Sequence, residues 1–296
     1  MQMGSAYGAG SWLLVTAASL LPFIMPFPTA DDSAYAAPAS AVLGDPILTP
    51  EIRVDVELVL AVDVSMSMMI QELRIQRDGY VAALGDPRVH QAMFSGPNRR
   101  VAIAYVEWSG AAEQRIVVPW TVLSGPKDAI AFSDRLRDAP TYRFFRTSVS
   151  GAMEFAAMLF DGNGISGETR VIDVSGDGAN NDGIPVTVAR DAAVAAGIVI
   201  NGLPLMTDIG LVNNFDVRDL DSYYAECVIG GPGSFSLPVR TWEEFGDAVR
   251  RKLIREISHR EQAPPFPEHV LVGMPVAGIG YDCLAGERLW NLQQGK

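Results

Sequence analysis

Hydrophobic positions along the chain alternate between two periods. Val56-Glu57-Leu58-Val59-Leu60-Ala61-Val62 is a nearly unbroken apolar run, closed by Asp63-Val64-Ser65-Met66-Ser67. An apolar run bounded by polar residues predicts a strand buried on both faces, over about 54–62. From 68 to 84 the period lengthens. Ile70, Leu73, Tyr80, Val81 and Leu84 share one face of a predicted helix, with Gln71, Glu72, Arg74 and Asp78 mostly opposite, and Gly85-Asp86-Pro87 ends it. A short helix is expected over 88–94, strands over 100–108 and 114–118, and a helix from Gly125-Pro126 to about 138 with Ile130, Phe132 and Leu136 turned inward. Next come a helix over 149–160, a strand over 169–174, a helix over 185–196 with Pro185 in its first turn, and a strand over 198–204. A short helix near 217–225, a strand at 235–239 and a helix over 241–258, opened by Thr241-Trp242-Glu243-Glu244, complete the pattern. Residues 261–296 have no clear period.

Strands alternating with amphipathic helices predict an α/β fold: a doubly wound, mostly parallel sheet with helices on both faces. The short Ser109-Gly110-Ala111-Ala112 connection predicts a hairpin, hence one antiparallel edge strand. Right-handed crossovers bring the strand-to-helix loops to one edge of the sheet, and compact oxygen ligands collect there. Asp63, Ser65 and Ser67 follow the first strand at i, i+2 and i+4. Thr147 precedes the 149–160 helix, and Asp177 follows the fourth strand in Ser175-Gly176-Asp177-Gly178. Two carboxylates and three hydroxyls make a hard, all-oxygen donor set of the kind taken by Mg²⁺, Mn²⁺ or Ca²⁺. Each residue alone has a plainer reading. Ser65, Ser67 or Thr147 can cap a helix, and Asp177 can serve a turn. Their order and shared edge favour the cation site. Asp173, inside the fourth strand, either steadies the ligand hydroxyls from behind or is hydrogen-bonded in the core.

Composition narrows the function. With 296 residues, 48% hydrophobic and 20% charged, the chain suits one large or two small globular domains. A formal net charge of −12 and only three lysines argue against non-specific binding to nucleic acid or anionic membrane. The three histidines, His90, His259 and His269, lie outside the three loops, and no Gly-x-Ser-x-Gly elbow occurs. Ser65 stands where a phosphotransferase of the haloacid dehalogenase type carries its second Asp. Val188 stands where a calcium loop starting at Asp177 needs Glu. The expectation is therefore a non-enzyme. A metal-dependent hydrolase working through a metal-bound water and a module with a purely stabilising ion are the alternatives.

The first residues differ from the rest. Ser11 to Pro28 is apolar, Ala34-Tyr35-Ala36 has a small-x-small cleavage pattern, and no Lys or Arg precedes Arg53. Residues 1–36 read as a signal peptide and 37–51, rich in Ala and Pro, as a linker, so export to the periplasm or cell exterior is expected, with no membrane span in the mature chain. In an exported protein Cys227 and Cys283 read as a disulfide tying a tail, 259–296, to the 52–258 domain, the other possibility being two separate thiols.

Asp-x-Ser-x-Ser after the first strand, Arg146-Thr147 before a helix and Ser-Gly-Asp-Gly after the fourth strand together resemble the metal-ion-dependent adhesion site of von Willebrand factor A domains. More narrowly, Val-Glu-Trp (106–108), Val-Ile-Asp-Val-Ser-Gly-Asp-Gly (171–178), Val-Ile-Gly-Gly-Pro-Gly-Ser-Phe (228–235) and Lys-Leu-Ile-Arg-Glu-Ile (252–257) resemble the exported bacterial family known as domain of unknown function 1194. The resemblance implies that Asp63, Ser65, Ser67, Thr147 and Asp177 are metal ligands, some through water, and that an exposed Asp or Glu of a protein partner fills the open position. Phe145-Arg146 replaces the Gly often found before that Thr. Arg146 can thus assist an acidic ligand or repel the cation, and Phe144 and Phe145 are expected to flank the recognition surface.

Overall fold

The first predicted strand becomes an interior strand of the sheet, paired on both sides. In the computed structural model the described residues are 51–207, 217–258, 271–272 and 281–295. The expected signal peptide, all but the last residue of the expected linker, His259 and His269 lie outside them. Seven strands run in the order β3-β2-β1-β4-β5-β6-β7. They are β1 (Ile52–Asp63), β2 (Val101–Trp108), β3 (Gln114–Leu123), β4 (Ile165–Gly176), β5 (Ile198–Pro204), β6 (Phe235–Ser236) and β7 (Leu271–Val272). β1 is parallel to β2 on one side and to β4 on the other, and β5 and β6 continue the parallel run. β3 returns antiparallel along β2, as the hairpin signal predicts. A second antiparallel pair, β6 with β7, closes the other edge. It was not expected, because a two-residue strand carries no period.

β1 shows why the apolar run is almost continuous. Leu58, Leu60 and Val62 enter one core, and Val59 and Ala61 enter the other. The first core is completed by α1 (Ile70–Leu84), α2 (Pro87–Met93), α3 (Pro126–Asp138) and α7 (Trp242–Ile257). The second is completed by α4 (Val149–Met158), α5 (Val186–Ala195) and the turn formed by α6 (Leu220–Tyr223) and a π-helical stretch over Tyr224–Val228. Helices thus cover both faces, the doubly wound arrangement that the alternating pattern predicts.

Two inward assignments are corrected. Ile130 is 48% exposed, whereas Ala129, Phe132, Ser133 and Leu136 form the buried face of α3. Ile70, the first residue of α1, is also exposed, whereas Glu72 and Leu73 of the same turn are buried. A last helix, α8 (Ala285–Gln293), forms in a stretch without a readable period. Its single buried residue is Gly286, so tertiary contact rather than an apolar stripe holds it in place.

One buried charge cluster ties β4 to α7. Lys252 Nζ lies 2.6 Å from Asp173 and also pairs with Glu256. All three side chains are fully buried, and Asn201 donates to Glu256. Burial first, then the Asp173 charge, pushes the Glu256 carboxyl up to about 8. Burial also raises Asp173, against the pull of Lys252. Lys252 thus faces two carboxyls that both hold their protons more tightly than usual. Replacing Lys252 with Met leaves a buried carboxylate without a partner, a loss of about 3–5 kcal/mol. Urea unfolding at pH 7 should show that loss. It should shrink as pH falls, because both raised carboxyls favour the protonated form in the folded state.

Candidate metal centre

Strand order alone brings the first two ligand loops together. β1 leads to β2 on one side while β4 lies on the other, so the space beyond their carboxyl ends is a topological switch point. Val62 pairs with Ser175, which puts Asp63 and Asp177 at neighbouring strand ends. The third loop is drawn in through backbone bonds. Ser148 N–H donates to Ser109 O (2.6 Å), Phe144 N–H to Val64 O (3.4 Å), and Asn181 N–H to Thr147 O (2.8 Å).

A continuous chain of side-chain contacts results. Asp63 Oδ1 accepts from Ser65 N–H at 2.7 Å, Ser65 Oγ and Ser67 Oγ lie 2.7 Å apart, and Ser67 Oγ donates to Asp177 Oδ1 at 2.8 Å. Thr147 is buried at the same place. A Cβ on Gly178, directly after Asp177, would lie 3.4 Å from Thr147 Cγ2 and 3.6 Å from Oγ1. Four of the five expected residues are linked by hydrogen bonds, and the fifth packs on the loop that carries Asp177.

Asp63 Oδ2 is buried and has no hydrogen-bond partner. It sits against Gly176, where a Cβ would approach it to 2.8 Å and Tyr224 Oη to 3.0 Å, so a larger residue there would displace the carboxylate. Burial pushes the Asp63 carboxyl up to about 6, even though Ser65 and Asp177 pull it down. Burial and the Asp63 charge also raise the Tyr224 phenol. A buried carboxylate with one unpartnered oxygen beside two hydroxyls and a second carboxylate suits a hard divalent cation, whose charge would offset the desolvation. Among the described residues, no group of three or more His, Cys, Asp or Glu side chains is placed to hold a metal ion.

Other expected residues are placed differently. Asp173 turns to Lys252 rather than to the hydroxyl cluster. Of its two readings, the contact made is the one within the core. Arg146, in left-handed backbone (φ 74°), donates to Asn181 O and pairs with Asp182 at 2.9 Å. Its guanidinium stacks 3.9 Å from the Trp290 ring. Its charge therefore clamps the loop after β4. Cys227 and Cys283 form the disulfide, Cα atoms 5.5 Å apart.

Several supporting residues carried no isolated signal in the sequence. Gln76 donates to Asp63 O (2.9 Å) from α1. Asn180 is a hub. Its Oδ1 accepts from Ser150 N–H, its Nδ2 donates to Glu287 on α8, and its N–H donates to Tyr223 Oη. A Cβ on Gly286 would come 2.2 Å from Asn180 O, so only glycine lets α8 sit this close. The polar run Asp177–Asp182 hinted at Asn180, but nothing hinted at α8.

Residues 53–261 match the family described as Protein of unknown function (DUF1194). The chain belongs to the DUF1194 family. No curated protein matches it. Among solved structures it is similar to proximal thread matrix protein 1 from the mussel byssus, with a zinc-occupied MIDAS motif, at TM-score 0.53 and 12% identity over 70% of this chain and 48% of that one. A second crystal form of that protein gives 0.52 and 13%, over 70% and 49%. A von Willebrand factor type A protein from Catenulispora acidiphila gives 0.45 and 12%, over 69% and 43%. This DUF1194 chain spans about half the length of the thread matrix protein. At such identities the likeness concerns the fold alone.

Two measurements check this account. Between about pH 4 and 6 the folded Asp63 carboxyl holds its proton more tightly than the unfolded one, so raising pH through that window costs stability, up to about 3 kcal/mol. Denaturation in chelator should show Asp63→Asn more stable than wild type at pH 7 and equal near pH 4. Replacing both cysteines with Ser opens a loop of 56 residues and should cost about 2–4 kcal/mol. Hydrogen exchange over 177–183 should then quicken, as the α8 contacts loosen.

Proposed function

We propose that this DUF1194 protein is a divalent-cation-dependent protein-binding module of the adhesion type, and not an enzyme. Asp63, Ser65, Ser67, Thr147 and Asp177 hold Mg²⁺, or Mn²⁺ or Ca²⁺ in its place, directly or through water. The observation that carries this reading is the unpartnered, buried Asp63 Oδ2 beside the linked Ser65, Ser67 and Asp177. When bound, the cation offers positive charge to an incoming carboxylate. Asp63 and Asp177 supply only two formal charges, so the ion keeps attraction for an exposed Asp or Glu of a partner. The zinc-occupied MIDAS motif of the mussel protein with the same fold agrees with this.

The rest of the loop edge suits binding better than turnover. The described histidine, His90, is buried against Leu84 O at 2.7 Å, on the α2 side of the molecule. Arg146 is committed to Asp182 and Trp290. No dedicated general base stands beside the candidate ligands among the described residues. The Cys227–Cys283 disulfide suits an oxidising compartment, periplasmic or extracellular. We assign 1–36 as the signal peptide, 37–51 as a linker, 52–258 as the binding domain and 259–296 as a tail tethered to it.

Isothermal titration with Mg²⁺ and Mn²⁺ tests the ion site. Wild type should bind one equivalent, and Asp63→Ala should lose the affinity by more than about tenfold. Equal binding by both would remove the assignment. Capture of a partner by the immobilised protein should fail in chelator and return with added Mg²⁺; retention in chelator would rule out bridging by the ion.

A further inference from the structure

The candidate ion site is surrounded by large apolar side chains that point to solvent. Met66 lies between the two ligand serines, and Met69 and Ile70 follow within three residues of Ser67. Tyr142, Phe144 and Phe145 precede Thr147. All six are exposed, Phe145 at 73% and Met69 at 57%. They make up six of the fourteen large hydrophobic residues exposed among the described residues, yet they come from two short segments. Those segments touch. Ser65 bridges to Phe144, and Arg143 Nη2 donates to Met66 O at 2.8 Å. Tyr142 stacks on Phe144 at 6.4 Å, and Arg115 caps the Tyr142 ring at 4.3 Å. Exposing this much apolar surface in one place costs solubility unless something covers it.

Arg143 adds charge to the same rim. Its Nε is buried without a partner, and no carboxylate among the described residues pairs with it. In that respect it differs from Arg146, which Asp182 neutralises. A bare guanidinium next to a divalent ion is unfavourable until an anion arrives between them. The chain as a whole is acidic, at −12. A patch that is locally cationic and apolar on an acidic protein therefore selects by local contact, not by overall attraction.

From this juxtaposition we infer that the occupant is a protein segment whose acidic residue is flanked by bulky apolar side chains. The acid meets the ion and Arg143. Its neighbours cover Met66, Met69, Ile70 and the Phe144–Phe145 pair. The inference rests on the proposed ion site and adds what the ion alone cannot supply, namely discrimination among acidic partners. An exposed Asp on a polar loop satisfies the ion but leaves the apolar rim wet, whereas one set among Phe and Leu satisfies both.

Fluorescein-labelled pentapeptides in Mg²⁺ provide the test, read by anisotropy. The probes are acetyl-Leu-Phe-Asp-Phe-Leu-amide, its Asn analogue and acetyl-Gly-Ser-Asp-Ser-Gly-amide. The first should bind at least about tenfold more tightly than the third, and the Asn analogue should not bind. Phe145→Ser and Met69→Ser, both at exposed positions, should each narrow that gap. Arg143→Gln should weaken both Asp peptides alike. Equal affinity for the two Asp peptides, no binding of either, or no effect of the rim variants would overturn the inference. So would preference for phosphatidylglycerol vesicles over every peptide, which would make the occupant a lipid surface. Titration with Mg²⁺ alone separates the two claims: without ion binding the proposed function fails, and with ion binding but indifferent peptides only this inference does.

Discussion

The candidate site depends on one carboxylate placed where water cannot reach it. Asp63 ends an interior strand of the sheet, between β2 and β4, with Trp108 opposite it in register and Ser175 opposite its neighbour Val62. Its position costs solvation free energy, seen in the upward shift of its carboxyl to about 6. A stable fold tolerates such a group only when surrounding atoms over-determine it. Here Ser65 N–H donates to the carboxylate, Gln76 fixes the backbone carbonyl of the same residue, and Gly176, with no side chain, leaves the carboxylate its space. One of its oxygens nevertheless stays unpartnered. That residual demand for positive charge is the physical basis for reading the loop edge as an ion site.

The surroundings separate two tasks that arginine and carboxylate groups could have confused. Charges that brace the scaffold are paired. Arg77 and Arg115 both pair with Glu107, Lys252 with Asp173 and Glu256, and Arg146 with Asp182. Groups at the candidate site are left with capacity: Asp63 Oδ2 and, on the rim, Arg143. The C-terminal helix belongs to the first task. The disulfide delivers α8 to the loop after β4, and Glu287 and Trp290 then hold Asn180 and Arg146. Those two side chains flank Asp177 and Thr147 in sequence, so the brace acts on the loops that carry the ligands.

Much of the architecture was legible because period and burial are linked. An apolar run with alternating sides can only be a strand covered on both faces, as Leu58 and Leu60 against Val59 and Ala61 show. The helix before Gly85 and the hairpin at Ser109–Ala112 followed from equally local rules. Ile130 was misjudged because a helix face is set by which neighbours arrive, and Ala129 and Phe132 meet the sheet instead. β7 and α8 were missed for a related reason. Two residues of strand, or nine of helix with a single buried glycine, are held by contacts made elsewhere in the chain.

By itself the sequence determined the strand and helix pattern, the doubly wound class, and which oxygen-bearing residues stand at strand ends, because those follow from local period and from crossover handedness. Only the tertiary structure decided that Asp63, Ser65, Ser67 and Asp177 form one connected cluster, with Thr147 packed on its loop. It also turned Asp173 toward Lys252, paired Arg146 with Asp182, and left six apolar side chains exposed on two segments that touch. These outcomes depend on contacts between residues far apart in the chain, such as Ser67 with Asp177. Nothing in the local order of residues specifies which side chain faces which.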